Sequence, residues 1–429
     1  MISLSAVGAA VAFSTCLMGQ APVFRFGTLQ NPDPLVNTTV VNNDGNGRTI
    51  VKIEQCEVRS VGGGAYQIAA SVHFLDPSTS QPTADTTLVT GLLIMTVNPP
   101  LWIPNQDAAA LSVAGTSVDE YQFSLSVDGL TAVWDRYGAS APNTFCCRRS
   151  STGVPFAQAN IRAVSPVGAG GVDPHIGEEL PNGHVTLFFI QVSPTSGTNS
   201  APIVRADLDP LTGLLGPTTL VAAYQGAGAA GFNHSPFVYR DSTGKARAIN
   251  FSEYPASGIQ HSNAIFTEGV NNDGTPEVIL DGGPSGTWFN NPGVVGGTWH
   301  YCTSGQTEPQ LQEAVVLANA DFRSGGGRIV AWAPVRPQGN SLFFSAVIAG
   351  IDVLSLQIPP YQLPPISNDL WVFDTLGVTG IGMHDPYSGI AEWPYSNLTP
   401  LNATFQMQVV SIDLASNLIF ASNQARLDF

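Results

Sequence analysis

Four short stretches of the chain gather the side chains best suited to chemistry. They are Tyr121-Gln122, Asp173-Pro174-His175, His234-Ser235-Pro236 and Asn290-Asn291. Carboxylate, imidazole, carboxamide and phenol together suit hydrogen bonding to a sugar or another polar polymer. The same residue types also cap strand starts and brace loops, so a purely architectural reading stands beside the binding one. An imidazole donates a proton near neutral pH, which gives His234 a place as an acid. A His-plus-Tyr lyase pairing would draw on His234 or His300 with Tyr121, Tyr239 or Tyr301, in a geometry that sequence alone does not assemble. His175, His184, His234, His261 and His300 form no H-x-x-x-H or H-E-x-x-H motif, so separate structural roles are expected and no metal site. There is no G-x-S-x-G elbow and no phosphate-binding glycine loop.

The elements that must position these residues repeat. Residues 119–135 read DEYQFSLSVDGLTAVWD, 172–191 VDPHIGEELPNGHVTLFFIQ, 233–252 NHSPFVYRDSTGKARAINFS and 290–302 NNPGVVGGTWHYC. Each is a β-rich run and a turn leading into a second β-rich run, the pattern of a hairpin. Aligned on Phe123, Pro174, Pro236 and Pro292, the units step by 51, 62 and 56 residues. Such periods suit β-propeller blades, each a small antiparallel sheet packed on its neighbours. The expected fold is therefore all-β: a β-propeller, with five blades, followed by a small antiparallel β-sandwich.

Four regions follow. Residues 1–20 hold an apolar run, Ala6 to Phe13, read as a secretory signal peptide although no positive charge precedes it; a buried N-terminal element is the alternative. Residues 22–105 are an N-terminal β region, a further blade or a separate sheet. Residues 106–338 carry the repeats. Residues 339–429 alternate apolar residues with short loops and read as the C-terminal sandwich. The stretch Glu308 to Ala320 is the nearest to a helical pattern, and reads equally as a loop and a strand.

Composition narrows the function classes. The formal net charge is −16, and Lys52 and Lys245 are the only lysines. Nucleic-acid binding needs clustered cations, so it is excluded, as is an anionic membrane surface. Arg148-Arg149 reads as a solvated turn. No segment after the leader is long and apolar enough to span a membrane, and the oligomeric state stays open. Beyond Cys16 in the leader, Cys56, Cys146, Cys147 and Cys302 allow three pairings. A vicinal Cys146–Cys147 bridge, a bridge elsewhere and buried free thiols are all open. The two NNDG stretches, from Asn42 and from Asn271, resemble fragments of calcium loops but lack the full ligand spacing. Turns are expected there, with no cofactor; calcium is the alternative.

The repeat resembles the blade pattern of TolB-like and five-bladed glycosidase-like propellers, in which a short motif starts the innermost strand of each blade. That resemblance implies that the motif residues face a central funnel. It also implies a carboxylate on each of three successive blades: a base, a residue that tunes pKa and orients substrate, and a general acid. Asp173-Pro174 resembles the middle element. Gln122 stands at the matching place one repeat earlier, with Asp119 and Glu120 displaced, and His234-Ser235-Pro236 stands where Glu-Gly-Pro is usual. The catalytic candidates are therefore Asp173, His234 and Glu253, the last at the end of the following strand. The ligand-binding candidates are Tyr121, Gln122, His175, Asn290 and Asn291. The Pro-rich hinge around Pro359-Pro360 and Pro364-Pro365, with the ending PLNATFQMQVVSIDLASNLIFASNQARLDF, resembles a C-terminal β domain of many secreted bacterial proteins.

Three functions fit. The first is an exported or cell-surface propeller binding an extracellular polysaccharide or cell-surface polymer at its funnel. The second is a glycoside hydrolase, or a lyase, acting on such a polymer. The third is a structural or adhesive surface protein.

Overall fold

The computed structural model describes residues 38–254 except 63–64, 95, 113–117, 138–142, 166–170, 192–201, 223–231 and 241–242. From 261 onward, and at 25–26, it describes strands and little between them. The leader and the second NNDG stretch lie outside the described residues.

The chain is all-β and its sheets are built from antiparallel hairpins. Five sheets follow one another in sequence. Sheet 1 starts with Ile50–Gly62 and continues through Ala65–Asp76, Thr87–Ile94 and Leu101–Asn105. Sheet 2 runs through Asp119–Leu125, Thr131–Tyr137, Asn143–Arg148 and Ile161–Ala163. Sheet 3 runs through Gly171–Glu179, Val185–Gln191 and Ile203–Asp209 to an outer edge at Leu214–Leu215 and Thr219–Ala222. Sheet 4 comprises Phe232–Arg240, Ala246–Tyr254, His261–Val270 and Pro276–Leu280. Sheet 5 comprises Asn290–Val295, Thr298–Cys302 and Gln310–Glu313.

In each sheet the first strand is an edge, here called the inner strand. The inner strands of sheets 1 and 2, 2 and 3, 3 and 4, and 4 and 5 touch in turn, and that of sheet 5 touches that of sheet 1.

Strand alternation sends successive side chains to opposite faces, so each sheet packs on both neighbours. Phe123 and Trp134 of sheet 2 join Leu88 of sheet 1, while Val133 joins Ile176, Leu187 and Phe189 of sheet 3. On the other face of sheet 3, Phe188, Ile190 and Ile203 pack with Val238, Ile249 and Phe251 of sheet 4. Cys147 faces the sheet 1 side and Cys146 the sheet 3 side for the same reason. A vicinal bridge between them is therefore ruled out; both, and Cys56, are buried free thiols. Burial pushes the Cys146 thiol up to about 12.

One further reading is corrected. Arg149 is not in a solvated turn: it is buried, with Nη1 2.5 Å from Oδ2 of buried Asp107. The turn from Asn42 is closed by its own side chains. Asp44 Oδ1 accepts the Asn46 and Arg48 amides, and Oδ2 lies 2.7 Å from Arg48 Nε. The carboxylate that calcium would need is already engaged.

Past sheet 5, the Glu308–Ala320 region holds strand rather than helix in its described parts. Leu317–Arg323 and Gly326–Trp332 form a hairpin whose second strand pairs with Ile390–Ser396. A last sheet joins Phe343–Gly350, Gly377–Met383, Thr404–Asp413, Leu418–Ala421 and Ala425–Asp428, and Arg25–Phe26 pairs in parallel with Leu418–Ile419.

Candidate functional site

Every inner strand breaks register, those of sheets 1, 3 and 4 at more than one place. In sheet 2, Tyr121 faces Asp135 and Ser124 faces Val133, so Gln122 and Phe123 together oppose one residue. The same shift spans Asp173-Pro174 in sheet 3, Ser235-Pro236 in sheet 4 and Asn291-Pro292 in sheet 5. In sheet 1 one of three shifts falls at Glu54, between Ile53 and Gln55. These are β-bulges, which bend a strand and re-aim a side chain. Gln122 and Asp173 take φ of 53° and 58°, the left-handed region that costs a non-glycine residue about 1–3 kcal/mol. Their surroundings hold them there. The Gln122 amide donates to Gln55 Oε1 at 2.6 Å, and the Asp173 amide donates to Asp135 Oδ2 at 2.6 Å. Each bulge amide is thus capped by a side chain from the preceding sheet.

Around the Asp173 bulge lies a cluster of acids and phenols. Asp135 is fully buried; its Oδ1 accepts the Thr144 hydroxyl at 2.7 Å. Burial, and then the nearby charge of Asp173, push its carboxyl up to about 8, so it holds a proton at neutral pH. Tyr137 and Tyr121 are half-buried, their rings edge to face at 5.5 Å. Burial, with Asp119 and Glu54 nearby, raises the Tyr121 phenol to about 12; burial with Asp173, Asp135 and Tyr121 raises that of Tyr137 further. Both therefore stay neutral hydroxyls.

Glu54, half-buried, lies against His73 Nε2 at 2.9 Å and against Lys52 Nζ. The His73 bond, ahead of Lys52, holds its carboxyl below the usual range despite partial burial. Glu54, Asp119, Tyr121 and Tyr137 are thus half-exposed beside sealed Asp135 and Asp173, and this polar patch is here called the mouth.

The sequence candidates divide. Tyr121 is at the mouth, and Gln122 and Asp173 occupy the bulges but are only 3% and 2% exposed. His175, two residues beyond Asp173, is sealed deeper. Its ring lies 4.7 Å from that of Phe237, Nδ1 is 3.1 Å from the Ile176 carbonyl oxygen, and Nε2 is 3.6 Å from Glu57 Oε2. Burial drops it to about 4, so it is neutral near pH 7. His234 is on the neighbouring inner strand, in register with Ser252, and Glu253 is in register with Asn233. Asn290 and Asn291 are on the inner strand of sheet 5. The side chains of these four lie outside the described residues. Glu120 points away, fully buried and gripped by Arg136 Nε and Nη2 at 3.1 and 2.9 Å. Asp119 Oδ1 accepts the Thr86 amide at 3.3 Å.

Glu54, His73, Asp135 and Tyr137 escaped the sequence reading. Asp135 and Tyr137 follow a motif by a hairpin's length, and their opposition to Tyr121 and Asp119 is a matter of register. Glu54 sits in a bulge that no proline follows, so nothing in KIEQCEV marks it.

Further along, neighbouring inner strands are bound to one another by buried polar groups. Glu57 accepts the Leu125 amide at 3.2 Å and pairs with Arg59; Ser124 Oγ accepts the Ile176 amide at 3.1 Å. Arg240 of sheet 4 donates to the Ile176 carbonyl. Among the described residues no group of three or more His, Cys, Asp or Glu could hold a metal ion, and no helix is long and apolar enough to cross a membrane.

No family model matches the chain, and no curated protein matches it. Solved structures do. A thermostable family-43 glycoside hydrolase is 12% identical with a TM-score of 0.40, over 66% of this chain and 94% of that one. A fructofuranosidase from Schwanniomyces occidentalis, in complex with fructosylnystose, is 10% identical with a TM-score of 0.36, over 91% and 93%. TolB from Acinetobacter baumannii is 12% identical with a TM-score of 0.28, over 77% and 66%. The chain is thus similar, at low identity, to glycosidase-type and TolB-type β-propellers, and these likenesses of fold carry no activity over to it.

Proposed function

We propose that the five sheets are the blades of a five-bladed β-propeller, followed by a C-terminal β-sandwich, and that the exported protein binds a glycan or similar polar polymer at its axial mouth. The ring of contacts among inner strands supports the blade count. The observation that carries the binding reading is the strained bulge pair, Gln122 and Asp173, set beside two half-exposed tyrosines and an ionised Glu54. Backbone strain persists where surrounding structure over-determines it, and it clusters at ligand sites. Neutral phenols offer both an apolar face and a hydroxyl, and carboxylates accept sugar hydroxyls.

Binding is favoured over hydrolysis by the state of the acids. A glycosidase needs one protonated and one ionised carboxyl flanking the bond, about 5–10 Å apart. Among the described residues the acid raised into its protonated state is Asp135, which is sealed and has both oxygens engaged. The accessible one, Glu54, is ionised.

A glycan array followed by calorimetry on the full chain tests this reading. Binding to at least one polymer is expected, weakened about tenfold or more by Tyr121→Ala or Glu54→Gln. Binding that neither substitution alters, or no binding at all, sinks the proposal; release of reducing ends would revive hydrolysis.

A further inference from the structure

We infer that the flank of sheet 3 carries a second binding site, separate from the mouth, for a neutral polyhydroxylated ligand such as a sugar unit. At the level of the mouth, sheets 3 and 4 are in contact through Ile190, Ile203, Ala222 and Val238. Further along the same strands, away from the mouth, a cleft of about 320 Å³ lies on that face. Its lining includes Glu178, Thr186, Phe188, Arg205, Asp207 and Thr219. The volume is at the small end of the range for small-molecule sites.

Strand register assembles this lining. Phe188 faces Arg205, which in turn faces Thr219, and Thr186 faces Asp207. Phe188 is almost fully buried and forms the floor. Its ring fits because residue 177 is glycine: a Cβ there would come within 2.3 Å of it. Above the floor stand a guanidinium, two carboxylates and two hydroxyls, with one Glu178 oxygen already accepting the Ala246 amide at 3.0 Å. Among the described residues neither Arg205 nor Asp207 has an ion-pair partner, although they stand two apart on one strand face.

The charge balance selects the ligand class. An anion meets two carboxylates against one guanidinium, in a chain of net charge −16. A bare cation meets Arg205 in the middle of the lining. A neutral polyol can accept from Arg205, donate to Asp207 and do either with the threonines, over an aromatic floor. The inference does not depend on the mouth.

The test uses the full chain with its mouth disabled by Tyr121→Ala and Glu54→Gln. Saturation-transfer NMR is run with xylose, galactose and their β-linked trisaccharides as probes. At least one probe should still bind, and Arg205→Ala or Asp207→Ala should weaken that binding about tenfold, as loss of a charge-assisted hydrogen bond does. Both side chains are exposed, so unchanged circular dichroism is expected as a control. Gly216→Leu gives an independent arm: a Cβ there meets Asp207 no closer than 3.6 Å, so the backbone tolerates a side chain, which is expected to obstruct the cleft that Gly216 lines. If the mouth-disabled chain binds no probe, or binds equally well in all three cleft variants, the second site is overturned. Failure of the mouth reading looks different: Tyr121→Ala and Glu54→Gln would leave wild-type binding untouched.

Discussion

Asp135 and His175 are both buried, and burial moves them in opposite directions. Each favours its neutral form, which is the protonated acid for Asp135 and the deprotonated ring for His175. The signs follow from proton linkage. For Asp135 the folded state keeps its proton up to about 8 while the unfolded chain loses it near the ordinary value of 3.8, so stability falls as pH rises across that window. For His175 the unfolded chain takes a proton near 6.5 and the folded state only near 4, so stability falls as pH drops through that window. Between about 4 and 6.5 the two oppose each other; above 6.5 Asp135 acts alone. Asp135→Asn should therefore flatten the decline in melting temperature between pH 6.5 and 8 and unmask a decline from 6.5 toward 4. A pH series of thermal melts checks this, and identical curves for the two chains would refute the burial of a protonated Asp135. Sequence could point to Asp173, because a proline follows it. It could not point to its partner, since the proximity of Asp135 depends on how two sheets stack.

At the scale of the element, the capped bulge is the recurring device. Gln55 reaches from sheet 1 to the amide of Gln122, and Asp135 reaches from sheet 2 to the amide of Asp173. Gln55→Leu should leave a buried N–H without its partner, at a cost of about 1–3 kcal/mol in urea unfolding. Gln55→Glu keeps the acceptor but buries a charge, so it should also destabilise, and more so at higher pH. The strands themselves were legible because runs such as Val185–Gln191 are rich in β-branched and aromatic residues and bounded by turn residues. The faces were not: Arg148-Arg149 reads as a polar pair, yet alternation sends Arg149 inward to Asp107. Asp107→Ala would strand that guanidinium and should cost about 3–5 kcal/mol, whereas Arg148→Ala, whose Nη1 donates to Thr131 at 2.9 Å, should cost less. Equal losses in the two variants would mean that Arg149 is solvated after all.

At the scale of the whole molecule, a repeat of 51 to 62 residues made the propeller readable. Residues 22–105 carry no clear copy of that repeat and read only as a further blade or a separate sheet; the contacts of the inner strand of sheet 1 with those of sheets 2 and 5 join it to the rest. The change of strand pattern from Gly339 suggested a boundary there. Strand pairing crosses it, because Ile390–Ser396 covers the outer edge of Gly326–Trp332. A chain ending at 338 would keep the hairpin Leu317–Arg323 with Gly326–Trp332 but lose that cover. An isolated two-stranded hairpin is marginal, and an open apolar edge invites pairing with another chain. The strand GGRIVAW is of that kind. Truncation at 338 should therefore give associating protein on size-exclusion chromatography, with lower thermal stability than the full chain. Truncation at 313, after the last strand of sheet 5, removes hairpin and edge together and should give less association than truncation at 338. If the chain ending at 338 runs as a monomer with the stability of the full protein, the pairing with Ile390–Ser396 contributes nothing and the boundary belongs where the sequence pattern puts it.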